Sequence, residues 1–107
     1  MNAAYVARLQ IKPELNRDMV LDALRELEAL TQAEPECFLF RLFETEVEDE
    51  LVILEVFKSS EALQYHYDTP YTKAYFEKGY TDIQSFQKLT ALQSLDCVFE
   101  QQLLKAG

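Results

Sequence analysis

The chain has no tryptophan, one histidine, two glycines, three prolines and two cysteines in 107 residues. Two glycines, Gly79 and Gly107, cannot build a phosphate-cradling loop, so flavin and nicotinamide fingerprints are absent and no organic cofactor is expected. With so little Gly and Pro and 49% apolar residues, disorder and low complexity are excluded. Cys37 and Cys97 stand apart, without a CxxC pair or a nearby His, so no metal site is expected. They read as free thiols of a reducing compartment. No apolar run approaches the roughly 18 residues of a membrane span. The opening MNAAYVARLQIK lacks a charged-then-apolar signal pattern, so a soluble, cytoplasmic protein is expected. Positive charge is scarce too: 10 Lys and Arg stand against 19 Asp and Glu, a net charge of −9. Nucleic acid and anionic membrane are therefore not expected partners, because both need clustered cations.

A chain of this size forms one domain, residues 1–107, with one core. Ala3–Ile11 alternates, with Tyr5, Ala7, Leu9 and Ile11 on one side, and reads as a strand. Pro13 opens the next element, where Leu15, Met19, Val20, Ala23, Leu24, Leu27 and Leu30 recur at helical spacing. Strands follow at Cys37–Glu44 and Leu51–Phe57, joined by a solvated acidic turn without calcium-loop geometry. Ser59 caps a short helix to about Tyr67, and Thr69-Pro70 starts another that Gly79 ends. Thr81 and Gln84 have capping-box spacing, which predicts a further short turn, with a last strand within Ala91–Leu103.

The order β-α-β-β-α-β predicts an α+β, ferredoxin-like domain: a four-stranded antiparallel sheet with its helices on one face. The strands around Phe38–Phe43 and Leu51–Phe57 are apolar on both sides, unlike a sheet with one wet face. One helical layer covers one face, so a second copy is expected on the other, as an isologous homodimer. In this layout the second and fourth strands lie at opposite edges. That puts Cys37 and Cys97 beyond disulfide reach within one chain.

Several short motifs stand in a set order. They are Lys12-Pro13 before the long helix, Thr31 with Glu34-Pro35-Glu36-Cys37 after it, Glu55-Val56-Phe57, Ser60-Glu61-Ala62-Leu63 with His66, and Thr69-Pro70-Tyr71. In that order, residues 3–80 resemble the antibiotic biosynthesis monooxygenase (ABM) domains of the dimeric α+β barrel superfamily. The resemblance implies two sheets closing a dimeric barrel and, in each subunit, a small-molecule pocket between sheet and helices. Related proteins include quinol monooxygenases, haem-degrading enzymes and an isomerase of a phosphorylated signalling sugar, so the fold does not fix the reaction. The chain departs from the family pattern at Phe57, where a Trp is common, at Tyr71, where a second His is common, and at Glu36 in place of Gly. Of the Asn, Trp and His that the haem-degrading branch needs, only the His has a candidate.

His66 is the one side chain whose ordinary pKa lies near neutrality. As a base it could take a phenolic or enolic proton, leaving an anion able to pass an electron to oxygen. A helix-end histidine bonded to a carbonyl is the alternative. Phe57, Tyr71 and Tyr75 would wall a pocket for an aromatic or quinol-like substrate, or else simply pack helix on sheet. A cavity of roughly 300 Å³ or more at His66 would mark such a pocket. Glu55 is out of place in an apolar strand, as are Arg8 and Arg41 in theirs. An ion pair of Glu55 with one arginine is expected, or else an arginine, Arg41 foremost, that holds an anionic substrate. The expected function is a cofactor-independent monooxygenase. The alternatives are an isomerase or lyase of a small oxygenated or phosphorylated metabolite, and a non-catalytic dimeric binding protein.

Overall fold

The computed structural model describes residues 2–95, which form seven elements. They are β1 (Ala3–Ile11), α1 (Arg17–Gln32), β2 (Cys37–Glu44), β3 (Glu50–Phe57), α2 (Ser60–Asp68), α3 (Pro70–Lys78) and β4 (Thr81–Leu89). The strands form one antiparallel sheet in the order β2-β3-β1-β4. This is the four-stranded ferredoxin-like layout, with its second helical region split in two.

Local chemistry sets the helix ends. Asn16, not the Pro13 region, starts α1: its side chain accepts from the Met19 N–H at 3.1 Å. Ser59 does the same for α2 from Ala62 N–H at 3.2 Å. Thr69 precedes Pro70, which bars it from helical backbone. It is extended (φ −65, ψ 145) and therefore both closes α2 and caps α3. Gly79 ends α3 in the left-handed region, at φ 62.

The helices pack mainly on β2 and β3. Val20, Leu21, Leu24 and Leu27 of α1 meet Leu9, Ile11, Phe40, Leu51, Ile53 and Phe57 of the sheet in the main core. Met19 and Leu30, which fit the helical period, are instead exposed. The β2 edge is guarded from α1: Phe40 N–H donates to Gln32 Oε1 at 2.9 Å and Leu42 N–H to Glu28 Oε2 at 2.7 Å. An edge so capped cannot recruit another strand there.

The far face of the sheet carries Val6, Leu39, Val52 and Leu54 half-buried and Phe43 exposed. A small cluster of Ala4, Phe38 and Val56, with Leu39 and Leu95 against it, covers one end. Among the described residues no helix lies on this face.

One element differs from expectation. Thr81–Leu89 is the fourth strand, not a capped turn. Ala91–Leu95 is not strand, and the rest of the predicted Ala91–Leu103 strand, with Cys97, lies outside the described residues. The cause is a β-bulge. Arg8 pairs with Ser85 but Leu9 pairs with Ile83, so Gln84 is the extra residue. Ile83 and Phe86, three apart, then face the same side, and Thr81 and Gln84, spaced like a capping box, belong to the strand.

Candidate functional site

His66 sits in the last turn of α2 and is 2% exposed. Its position is tied down at both ends of the residue. The Thr69 N–H donates to the His66 carbonyl at 3.2 Å and the Thr69 hydroxyl reaches the same oxygen at 2.7 Å. The imidazole packs between Phe57, Phe40 and Tyr67, with ring centroids 5.3, 5.4 and 5.4 Å away.

The partner of the ring is Glu34, 32 residues upstream, whose Oε2 lies 2.9 Å from His66 Nδ1. Glu34 is 8% exposed and sits in the loop between α1 and β2. That loop is held by Glu34 N–H to Thr31 O at 3.0 Å, Cys37 N–H to Glu34 O at 3.2 Å, and Lys58 N–H to Glu36 O at 3.0 Å. The last bond joins the loop to the end of β3, directly before α2. Tyr71, in the first turn of α3, donates its hydroxyl to the same Glu34 Oε2 at 2.5 Å. Burial and this bond to Glu34 push the Tyr71 phenol up to about 12, so it stays a donor.

A carboxylate can only accept, so the contact puts a proton on His66 Nδ1, and in the neutral imidazole Nε2 then keeps its lone pair. Nε2 has no hydrogen-bond partner among the described residues. Glu34 Oε1 is also buried without one. The helix-end histidine satisfied through its ring by a backbone carbonyl is therefore not what forms.

His66 lines a cavity of about 130 Å³ under α2 and α3, walled by Leu9, Leu24, Phe40, Ile53 and Phe86 and reached by Tyr75 and Glu55. This falls short of the roughly 300 Å³ that would mark a pocket for a larger substrate. Phe40 and Phe57 pack against the imidazole and fill much of the space. No described helix packs closely on β4, so Ile83 (57% exposed) and Phe86 (47%) form an apolar mouth. Phe86 is braced by stacking on Tyr5, centroids 4.6 Å apart. A larger groove, about 310 Å³, lies between α1 and β2 around Arg25, Glu28 and Phe43. It holds none of these groups.

The named residues thus divide. His66 and Tyr75 line the cavity, Phe57 supports His66 from the side, and Tyr71 holds Glu34. The Tyr75 hydroxyl lies 3.0 Å from Thr81 Oγ1. Arg41 is elsewhere: it pairs across the sheet with Leu54, on the far face, and is exposed. Arg8 is on that face too and meets Glu50 at 4.0 Å. The expected ion pair of Glu55 with an arginine does not form, because alternation puts Glu55 on the helix face, among Ile53, Phe57 and Phe40. Glu55 is met instead by the Tyr67 hydroxyl at 3.4 Å. Glu34 was legible as part of a motif, but no local signal marked it as the partner of His66.

Burial pushes the Glu55 carboxyl up to about 7, only partly offset by the Tyr67 hydrogen bond. Burial and the nearby Glu55 charge raise the Tyr67 phenol as well. Cys37, a buried free thiol near Glu34 and Glu55, is pushed up to about 12 by burial first and by their charge second, which leaves it inert. The Glu55 shift has a stability consequence. From its ordinary 4.5 to about 7, the unfolded chain releases this proton first, so stability falls as pH rises through that window and the loss is complete above it. The full effect is about 3 kcal/mol. Glu55→Gln, which cannot ionise, is expected to gain stability relative to the natural chain between pH 5 and 8, read by urea unfolding at each pH.

Thr69 gives a second stability test. It caps α3 through Thr72 N–H at 3.4 Å and bonds the Thr72 hydroxyl at 2.7 Å. Thr69→Ala is expected to cost about 1 kcal/mol in chemical denaturation.

Among the described residues no cluster of three His, Cys, Asp or Glu could hold a metal, and no helix is long and apolar enough to cross a membrane. Comparison with known proteins places the fold. The family description "Antibiotic biosynthesis monooxygenase" matches residues 3–78. The chain belongs to the ABM family. A crystal structure described as an antibiotic biosynthesis monooxygenase superposes with a TM-score of 0.76 at 26% identity, covering 87% of this chain and all (100%) of that one. SnoaB, a cofactor-independent oxygenase from Streptomyces nogalater, superposes at 0.72 with 14% identity, covering 88% of this chain and 96% of its own, a likeness of fold alone. An uncharacterised protein of Synechocystis sp. is 30% identical over 72 residues, 66% of this chain. The match spans 48% of that relative's length.

Proposed function

We propose that this ABM domain is a cofactor-independent monooxygenase that oxidises a small aromatic or quinol-like molecule, and that it works as a homodimer. The observation that carries the reading is the buried Glu34–His66 pair, 2.9 Å apart, with His66 lining an apolar cavity and Nε2 unpartnered among the described residues. In this reading His66 Nε2 takes the phenolic proton: the O–H bond breaks and an N–H bond forms. Glu34, held by Tyr71, stabilises the imidazolium. The phenolate passes one electron to oxygen, and the phenoxyl radical and superoxide join in a C–O bond. The ring carbon then loses its proton while the O–O bond breaks, hydroxide leaves with the His66 proton as water, and a carbonyl remains. The bare apolar walls favour this chemistry by keeping water from the anion.

The dimer rests on the far sheet face, where Val6, Val52 and Leu54 lie in the middle strands with no described helix over them. The test is oxygen uptake with one- and two-ring hydroquinones, in air and under argon. Uptake in which one atom of labelled oxygen enters the product supports an oxygenase, and quinone formed without label overturns it. Turnover that continues under argon transfers the Glu34–His66 pair to an isomerase or lyase, and binding without turnover leaves a small-molecule carrier.

A further inference from the structure

The carboxyl lining the His66 cavity is Glu55, 4% exposed on β3. Among the described residues the cavity has no lysine or arginine in its walls. Among the described residues Glu55 accepts one side-chain hydrogen bond, from the Tyr67 hydroxyl at 3.4 Å, a long one for a group with about four acceptor sites. The carboxyl therefore has unused capacity facing an apolar space. An anionic ligand would be buried beside it with no lysine or arginine to offset either charge, in a medium that screens poorly. A hydroxyl is different, because it both donates and accepts. It can give its proton to an ionised Glu55 or receive one from the neutral acid. Space sets a second limit: about 130 Å³ is close to the roughly 150 Å³ apolar cavity that takes up benzene.

We propose that Glu55 is the specificity-determining residue of this cavity, binding a hydroxyl of an uncharged single-ring ligand and excluding carboxylated or phosphorylated ones. This rests on the small-aromatic reading of the His66 site and narrows it. It leaves the phosphorylated-metabolite alternative without a cation to receive it. The titratable groups around Glu55 are Tyr5 on β1, Cys37 on β2, His66 and Tyr67 on α2 and Tyr75 on α3. From α1 and β4 the cavity receives only apolar side chains and Thr81.

The test is calorimetric binding to the full chain under argon, with hydroquinone, its carboxylated analogue 2,5-dihydroxybenzoate, and the three-ring 9,10-dihydroxyanthracene as probes. Hydroquinone is expected to bind at least tenfold tighter than the carboxylated probe at pH 8, with the ratio growing from pH 6 to 8 as Glu55 ionises, and tighter than the three-ring probe. Glu55→Gln is expected to bring the ratio below threefold and flatten its pH dependence. Tyr67→Phe keeps the carboxyl but removes its donor. It is expected to move the onset of discrimination to higher pH, and it serves if the Glu55 variant does not fold. Equal binding of the charged probe, an unchanged ratio in Glu55→Gln, or no binding of hydroquinone overturns the proposal. Oxygen uptake on the same samples separates the two readings. A binding ratio that obeys Glu55 without any uptake sinks the oxygenase alone, and intact uptake with a ratio indifferent to Glu55 sinks this inference alone.

Discussion

Replacing His66 with alanine is expected to lower oxygen-dependent kcat/KM by roughly 100- to 10,000-fold, the usual worth of a positioned base. The loss should fall on kcat more than on KM, because the imidazole acts on the proton in the transition state and the apolar walls that bind the ring stay in place. Glu34→Gln should give a smaller loss. Its carbonyl can still accept from Nδ1–H and keep the tautomer, but it carries no charge to stabilise the imidazolium. Glu34→Ala is a different experiment. It strands one buried donor, Nδ1–H, and the half-buried Tyr71 hydroxyl, which now meet Glu34 Oε2 at 2.9 and 2.5 Å. Stability should then fall by about 1–3 kcal/mol for the buried donor left without a partner. Stopped-flow quinone formation, with thermal melts as the folding control, checks all three. Turnover in His66→Ala equal to that of the natural chain would remove this residue from the mechanism.

Leu54→Glu is expected to turn a dimer into a monomer. Leu54 lies near the middle of β3, on the sheet face opposite the helices, with Val6 across on β1 and Arg41 on β2. The described helices are on the other side, so the half-buried Val6, Val52 and Leu54 and the exposed Phe43 have no cover from the described chain. A two-fold contact through this face would bury each of them twice, once per subunit. A carboxylate placed there is likewise buried twice, at an effective cost of several kcal/mol per ion. That exceeds what a tenfold or even hundredfold drop in concentration would do, since each factor of ten is about 1.4 kcal/mol. Sedimentation at tens of micromolar should therefore give twice the chain mass for the natural protein and one chain mass for the variant. A natural chain that sediments alone at that concentration would overturn the homodimer.

Three local readings failed: the place of the last strand, the place of Arg41 and the partner of Glu55. β4 is an exposed edge strand, so its residues carry little of the apolar alternation that betrays a buried one. The capping-box spacing of Thr81 and Gln84 predicts a short turn, but Gln84 is the extra residue of the bulge. Arg41 was placed in the pocket because β2 is apolar on both sides. With Phe38, Leu39, Phe40, Leu42 and Phe43 all available, period two shows that faces alternate but not which one is inward. A further register shift between Cys37 and Leu39 removes the local count that would have decided it. Glu55 was correctly singled out as odd. Its partner was not legible, because the Tyr67 hydroxyl is brought to it by a helix packing on the strand rather than by any sequence spacing.

Signals that act within a few residues were enough for most of the architecture. The alternation of Tyr5 to Ile11, the Ser59 cap, the Thr69-Pro70 junction and the left-handed Gly79 each depend on backbone geometry that neighbours impose directly. Together with apolar strands greasy on both sides, they dictate a single-layer α+β domain with an unsatisfied sheet face. The site is of another kind. Glu34 and His66 meet across 32 residues only because the α1–β2 loop is bonded to the end of β3 and α2 springs from that same end. The cavity that His66 lines is left by helices that cover β2 and β3 and stop short of β4. Contacts of that range are decided by how whole elements pack. The free energy that selects them is summed over the core and is not carried by any motif.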